Sequence, residues 1–187
     1  GSDNQVAVLY ACGEILEGSK DGIDCEKLVP IITDLADDDD VKALVLRVNS
    51  PGGSVFGSAE IGEALDYLKS KKKPVIVSMG DYAASGGYWI SCCADKIYAD
   101  PLTITGSIGI FGMVPQFTGL AHNLGISPQT VNTHAAGSYP NVFSPMTEAQ
   151  SRVMQASIED MYGKFVNRVA TGRKMKAEDV EKFAEGR

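Results

Sequence analysis

The stretch Asp81-Tyr82-Ala83-Ala84-Ser85-Gly86-Gly87-Tyr88-Trp89 places a small hydroxyl residue where an apolar run, Val75-Ile76-Val77-Ser78-Met79, gives way to a helical pattern. A serine at a strand-to-helix turn can be exposed beside free backbone N–H groups, which favour developing negative charge. Acyl-transfer enzymes place a nucleophile there, because the N–H of the next residue can serve as an oxyanion donor. A second glycine pair, Gly52-Gly53, follows an earlier strand-like run, as Gly86-Gly87 follows Ser85. In a parallel α/β sheet both loops lie at the carboxyl ends of strands, where sites are usually built. Glycine lets the backbone approach a substrate closely. The chemistry this suggests is attack of the Ser85 hydroxyl on a carbonyl, with the N–H groups of Gly53 and Gly86 holding the oxyanion. A plainer reading stands beside it, in which both pairs are tight turns that pack helices on a sheet.

Such a hydroxyl needs a base. The chain has two histidines, His122 and His134. His122, beside Asn123-Leu124-Gly125, reads as a surface residue at a helix end. His134 lies in a loop, where a role as base is conceivable, histidine being the commonest general base. Asp81 reads as an N-cap-like residue that needs no catalytic duty. The four cysteines, Cys12, Cys25, Cys92 and Cys93, lack zinc-site spacing and a His-rich partner segment. They read as buried free thiols. No metal and no cofactor is expected.

These residues must be positioned by alternating elements. Val6–Tyr10 reads as a first strand, followed by a turn-rich loop from Gly13 to Gly22. Leu28, Ile31, Ile32 and Leu35 recur at helical spacing. Ala43–Val48 is apolar except for Arg47, as expected of a central parallel strand covered on both faces. A helical pattern resumes from Ala59 to Leu68 and ends in a basic turn at Lys69–Lys73. After the Ser85 turn come a short strand, Lys96–Ala99, a Gly-rich apolar segment from Thr103 to Gly112, a short helix near Gly119–Asn123 and a strand at Gln129–Asn132. His134 to Pro145 reads as loop. Thr147 and Gln150 resemble a capping box at the start of a long helix with Val153, Met154, Ile158, Met161, Phe165 and Val169 inward. A last helix runs from about Ala177 to Ala184. The expected class is α/β, a mainly parallel sheet with flanking helices.

The length of 187 residues suits one domain with a sizeable core. With 44% hydrophobic and 22% charged residues the composition is that of an ordinary globular protein. A net charge of -7, from 17 Lys+Arg against 24 Asp+Glu, argues against nucleic acid or an anionic membrane as partner. No run approaches the roughly 20 apolar residues of a membrane helix, and no signal peptide is seen. Gly1-Ser2 reads as a cloning remnant. No internal repeat or low-complexity linker stands out.

Three ordered motifs, Asn49-Ser-Pro-Gly-Gly-Ser54, Met79-Gly-Asp-Tyr-Ala-Ala-Ser-Gly-Gly-Tyr-Trp89 and Leu102-Thr-Ile-Thr-Gly-Ser-Ile-Gly-Ile-Phe111, resemble signal peptide peptidase A, peptidase family S49. The resemblance runs from about Val6 to Arg187. Ser-Pro-Gly-Gly alone would suggest only the wider ClpP/crotonase superfamily. The resemblance implies a ClpP/crotonase-like fold and a membrane-associated serine protease of the bacterial cell envelope, at the periplasmic face of the inner membrane, that degrades cleaved signal peptides. It further implies a homo-oligomeric ring. Ser85 matches the nucleophile, Gly53 and Gly86 match the oxyanion-hole positions, and Ser107 matches the serine that hydrogen-bonds a catalytic lysine.

That family uses a Ser–Lys dyad, and a lysine serves as base near neutral pH only if burial lowers its pKa from about 10.4 toward 7. In single-domain members the lysine lies in the loop corresponding to about His134–Phe143, and no lysine is present there. The chain therefore reads as one S49-type domain over 1–187, the C-terminal half of a tandem-domain member. It lacks the family domain's C-terminal end and depends on a lysine-bearing N-terminal domain. Alternatively, Lys96 or Lys20 takes the place of the missing base, or the chain is an inactive homologue. The substrate groove should be apolar, with Trp89, Phe111, Met113 and Val114 as candidate lining residues or simply core. Two rival functions remain: a crotonase-like acyl-CoA enzyme, weakened by the lack of site carboxylates beyond Asp81, and a non-catalytic scaffold half of a protease ring.

Overall fold

The computed structural model describes residues 4–133 and 141–186. The chain divides into two compact units, Gly1–Gly109 with Lys164–Arg187, and Ile110–Gly163.

The first unit is built on a parallel sheet. Strands β1 (Gln5–Cys12), β4 (Val41–Ser50) and β5 (Val75–Ala84) lie side by side in that order. The edge of β5 carries two short strands in succession: β6 (Lys96–Tyr98) pairs with Ile76–Ser78, and β7 (Ile104–Gly106) pairs with Tyr82–Ala84. A separate two-strand ladder joins β2 (Ile15–Leu16) and β3 (Ile23–Asp24). The connections are helices α1 (Cys25–Asp37), between β3 and β4, and α2 (Val55–Ser70), between β4 and β5.

Local signals explain the helix starts. The Asp24 carboxylate accepts from the Glu26 and Gly18 N–H groups at the head of α1. Lys27, 2.8 Å away, is the main reason its pKa lies below the usual carboxylate value. The Ser54 hydroxyl accepts from the Gly57 N–H at 3.0 Å and caps α2. The apolar positions read from the sequence then fill one core. Leu28 and Ile32 of α1 and Ile61, Leu65 and Leu68 of α2 are buried with Leu44, Leu46, Val48, Val75 and Val77 of the sheet.

The expectation that β4 is covered on both faces needs correction. From Ala43 onward its residues alternate between half-buried and buried. On its β1 neighbour, Val6, Val8 and Tyr10 are 61%, 52% and 72% exposed. The reason is topological: successive right-handed crossovers that advance in one direction put α1 and α2 on the same side. An apolar run does not reveal which side that is.

Helix α3 (Gly86–Trp89) is a single turn, and helix α6 (Ala177–Glu181) is shorter than the pattern suggested. Helix α5 (Glu148–Arg173) contributes its last part to this unit, where Phe165, Val166 and Val169 are buried. Phe165 packs on Trp89 with ring centroids 5.0 Å apart.

The second unit holds helix α4 (Thr118–Asn123) and the first part of α5. The capping box forms as read: the Thr147 N–H donates to Gln150 Oε1 at 2.9 Å, and the Gln150 N–H donates to Thr147 Oγ1 at 3.2 Å. Two expectations fail here. Residues 129–132 form no strand, and Val153 is 59% exposed rather than inward. A four-residue segment whose one apolar residue is Val131, with no neighbouring strand to bond, cannot make a sheet by itself.

Candidate active site

Ser85 lies between the end of β5 and the first residue of α3, with φ 52° and ψ -121°. That backbone is costly for any residue with a Cβ, by about 1–3 kcal/mol, and persists only where neighbours enforce it. Here the Ser85 N–H donates to the Gly106 carbonyl at 2.9 Å, and the Ser85 carbonyl accepts from the Tyr88 and Trp89 N–H groups, both at 2.9 Å. Strand and helix turn thus grip the residue from both ends. The side chain is half-buried, and its hydroxyl has no hydrogen-bond partner among the described residues. A strained, uncommitted hydroxyl on a strand-to-helix turn is the arrangement of a nucleophile elbow.

The loop after β4 comes against this turn. Gly52 has φ 105° and Gly53 φ 146°. A Cβ on Gly52 would stand 2.7 Å from the Gly86 nitrogen and 2.8 Å from Ser85 Cβ, so only glycine permits this approach. On its other side the loop is anchored to β2. The Ile15 N–H donates to the Gly52 carbonyl, and the Ser54 N–H donates to the Ile15 carbonyl, both at 2.8 Å. Because successive N–H groups of an extended chain point opposite ways, the Gly53 N–H faces away from β2. It has no acceptor among the described residues. The Gly86 N–H, first of its helical turn, is likewise without one. Since α3 is a single turn, what it offers is the unbonded Gly86 N–H rather than a substantial macrodipole.

Ser107 follows β7 directly. It has φ 49° and is half-buried. Since Ala84 pairs with Gly106 across β5 and β7, Ser107 stands beside Ser85 at the same end of the sheet. The structure thus brings Ser85, Gly53, Gly86 and Ser107 together.

No lysine joins them. Every lysine of the chain is among the described residues, and none is buried. Lys96 pairs with Ile76 at the start of β5, so nearly the whole strand, about 30 Å at about 3.3 Å per residue, separates it from Ser85. Lys20 is exposed in the β2–β3 loop. The half-buried Lys69 and Lys73 are committed at the opposite end of the sheet, Lys69 to the Cys93 carbonyl and Asp95, and Lys73 to the carbonyls of Leu35 and Asp38. His122 is exposed on α4, and His134 lies outside the described residues. Asp81 is not a cap. It is exposed within β5, because that strand runs on to Ala84.

Trp89 is half-buried against Phe165, with the Arg168 guanidinium 5.6 Å from its ring centroid. It belongs to the packing of the first unit rather than to a groove. Phe111 and Met113, in the second unit, are 84% and 82% exposed, and Val114 is half-buried.

Sequence reasoning missed the residues that set the two loops. Asn49 Oδ1 accepts from the Tyr82 N–H at 3.0 Å, where the β4–β5 register shifts. Thr105 Oγ1 donates to the Ala83 carbonyl at 2.8 Å, holding β7 against the Ser85 turn. Ser58, buried on α2, donates to the Ser54 carbonyl and leaves no room for a Cβ on Gly86. Their signal was slight, a short polar residue next to each motif glycine or strand end. Among the described residues no helix is long and apolar enough to cross a membrane.

Comparison with known proteins agrees with this geometry. Residues 67–187 match the model of peptidase family S49, and residues 11–103 match that of Clp protease. Over 98% of its length the chain is 42% identical to Protease 4 of Haemophilus influenzae, of which it covers 30%. It is 34% identical to a putative signal peptide peptidase SppA of Enterococcus faecium, covering 96% of this chain and 52% of that protein. It is 30% identical to the chloroplastic serine protease SPPA of Arabidopsis thaliana, covering 28% of that protein. A mutant ClpP1 from Listeria monocytogenes shares the fold, with a TM-score of 0.56 over 94% of this chain and 77% of that one at 16% identity. The chain thus spans less than a third of the length of the Protease 4 relatives it matches. With its parallel sheet, its two glycine loops and the serine between them, the chain belongs to peptidase family S49.

Proposed function

We propose that this chain supplies the nucleophile of a serine endopeptidase whose base comes from another domain. The observation that carries the reading is Ser85 itself, a half-buried residue of positive φ whose hydroxyl has no partner among the described residues, flanked by the N–H groups of Gly53 and Gly86, likewise unbonded among them. Its oxygen attacks the carbonyl carbon of an extended peptide, and its proton passes to a lysine amine. The oxyanion is held by the two N–H groups, each donor contributing about 3 kcal/mol to the transition state. Collapse expels the amine, which takes the proton back, and water then hydrolyses the acyl-enzyme. Ser107, beside Ser85 and equally unbonded among the described residues, orients the incoming lysine.

The lysine has to be delivered from outside, because no lysine of this chain is buried at the site. A lysine-bearing N-terminal domain of a tandem protein is the source we favour. The ring and the envelope location follow from the same reading. The Enterococcus faecium relative, named a putative signal peptide peptidase, supports signal peptides as the substrates we propose, with other hydrophobic peptides beside them.

The test mixes the chain with a recombinant lysine-bearing N-terminal half and assays peptidase activity and fluorophosphonate labelling against each alone. Activity only in the mixture, with the adduct on Ser85, is expected. Full activity from this chain alone would refute the shared site. Affinity for coenzyme A without labelling would favour an acyl-CoA enzyme instead.

A further inference from the structure

Two thiols outside the site are adjacent in sequence and in space. Cys92 and Cys93 sit in the turn after α3, with their sulfurs 4.0 Å apart. Cys92 is buried, with its sulfur 3.3 Å from the Trp89 carbonyl oxygen, whereas Cys93 is half-buried. The turn is held from two helices. Arg173 donates to the carbonyls of Cys92 and Ala94, at 3.4 and 3.2 Å, and Lys69 of α2 donates to the Cys93 carbonyl. The Arg168 backbone carbonyl accepts from the Cys93 thiol. The pair is thus pinned in contact rather than splayed, and only one member can meet a solute.

We propose that Cys92 and Cys93 form a reversible dithiol–disulfide site that reacts with low-molecular-weight disulfides. Cys93 is the attacking thiol and Cys92 the resolving one. The Cys93 thiolate attacks a sulfur of RS–SR, forming a mixed disulfide and releasing one RS−. The Cys92 sulfur then attacks the Cys93 sulfur, losing its proton and expelling the second RS−. The chain loses two hydrogens, and the small disulfide becomes two thiols.

The electrostatics favour this order. Hydrogen bonding from the Cys92 thiol, helped by the Arg168 and Lys69 charges, lowers the Cys93 pKa, and the same hydrogen bond together with burial raises that of Cys92. Geometry makes the product labile. Consecutive Cα atoms are about 3.8 Å apart, below the about 4.4–6.8 Å of ordinary disulfides, and departures from that range make the bond easier to reduce. A site that opens and closes fits these facts better than a permanent staple.

The test uses the full chain with the exposed Cys12 changed to serine, treated with oxidised glutathione and analysed by peptide mass spectrometry. The expected product is a Cys92–Cys93 disulfide without retained glutathione, returned to thiols by dithiothreitol. Cys92→Ser should instead retain glutathione on Cys93, and Cys93→Ser should leave Cys92 unmodified; circular dichroism confirms that each variant is folded. A glutathione adduct that persists on Cys93 of the parent would overturn the proposal. So would two thiols that stay reduced under conditions where Cys12 of the unaltered chain reacts. The parent's result decides the question even if a variant fails to fold.

Discussion

Ser85 and Ser107 each follow a residue of the bonded pair Ala84–Gly106 on neighbouring parallel strands, and each has a left-handed φ, 52° and 49°. Two serines in a conformation that suits glycine, side by side at one sheet end, indicate that their hydroxyls are kept against a stability cost. Replacing Ser85 by glycine should therefore raise stability relative to Ser85→Ala, which keeps the Cβ and its strain. The expected difference is about 1 kcal/mol, after allowing for the extra chain entropy of glycine. For a chain of this size that is about 2–4 °C in Tm. Equal melting temperatures for the two variants would show that the turn is not strained.

The two hydroxyls should separate in chemistry. Ser85→Ala is expected to abolish fluorophosphonate labelling altogether. Ser107→Ala should leave labelling of this chain alone nearly unchanged, since no lysine of the chain reaches the site. In the mixture with a lysine-bearing half, the same substitution should cost at least about tenfold in kcat/KM, or about 1.4 kcal/mol. A Ser107→Ala mixture as active as the parent would remove Ser107 from the site.

Gly53 provides a test of the oxyanion loop. A Cβ there would run into the backbone of Ile15, and φ 146° is foreign to residues with side chains. Gly53→Ala should break the β2 anchor and destabilise the chain by about 1–3 kcal/mol. It should also displace the N–H that we propose holds the oxyanion. Denaturant unfolding gives the first quantity and the labelling rate of Ser85 gives the second. A variant with unchanged stability and labelling would mean that this loop does not serve the serine.

The meeting of these loops was legible because glycine and serine appear where geometry tolerates little else. Gly52, Gly53 and Gly86 mark the close approach of two loops, and the strand before Ser85 was plain from its apolar run. The end of that strand was not. Asp81 looked like a cap because the sequence does not show that β7, a strand of three residues, pairs with Tyr82–Ala84 and extends β5. The open face of the sheet was hidden for a similar reason, since Val6, Val8 and Tyr10 are as apolar as their buried neighbours. Helical spacing placed Phe165 and Val169 inward correctly but also placed Val153 there, because periodicity identifies a face without saying how far along the helix that face is covered.

Arg168 ties α5 to the segment that follows Ser85. It donates to Asp66 at 2.7 Å, to the Gly62 carbonyl at 3.1 Å and to the Trp89 carbonyl at 3.3 Å, and it lies over the Trp89 ring. Its side chain is 14% exposed and that of Asp66 46%, so the ion pair itself is partly screened. Most of the loss on Arg168→Ala should come from the two backbone carbonyls and the ring contact, about 2–3 kcal/mol in all. Asp66→Asn should cost less than half as much. If Asp66→Asn were the more damaging change, the ion pair and not the carbonyl contacts would be the main tie.

Cys93 should show its environment in the pH dependence of alkylation. The groups facing it are Lys69 and Asp66 of α2, Arg168 of α5, and Cys92 within its own turn. Its pKa is lowered, first by the hydrogen bond from Cys92 and then by the two cations, against the opposing effects of burial and Asp66. A lowered pKa means that thiolate survives to lower pH, so the iodoacetamide rate at Cys93 should reach half its plateau below the about 8.5 of an ordinary thiol. Cys92→Ala removes the largest contribution and should move that midpoint upward, whereas Cys92→Ser keeps a donor and should move it less. The order of the three midpoints, parent lowest and Cys92→Ala highest, is read directly from rate against pH. A parent midpoint at or above 8.5 would mean that burial outweighs the neighbouring hydrogen bond. The attacking role assigned to Cys93 would then fail with it.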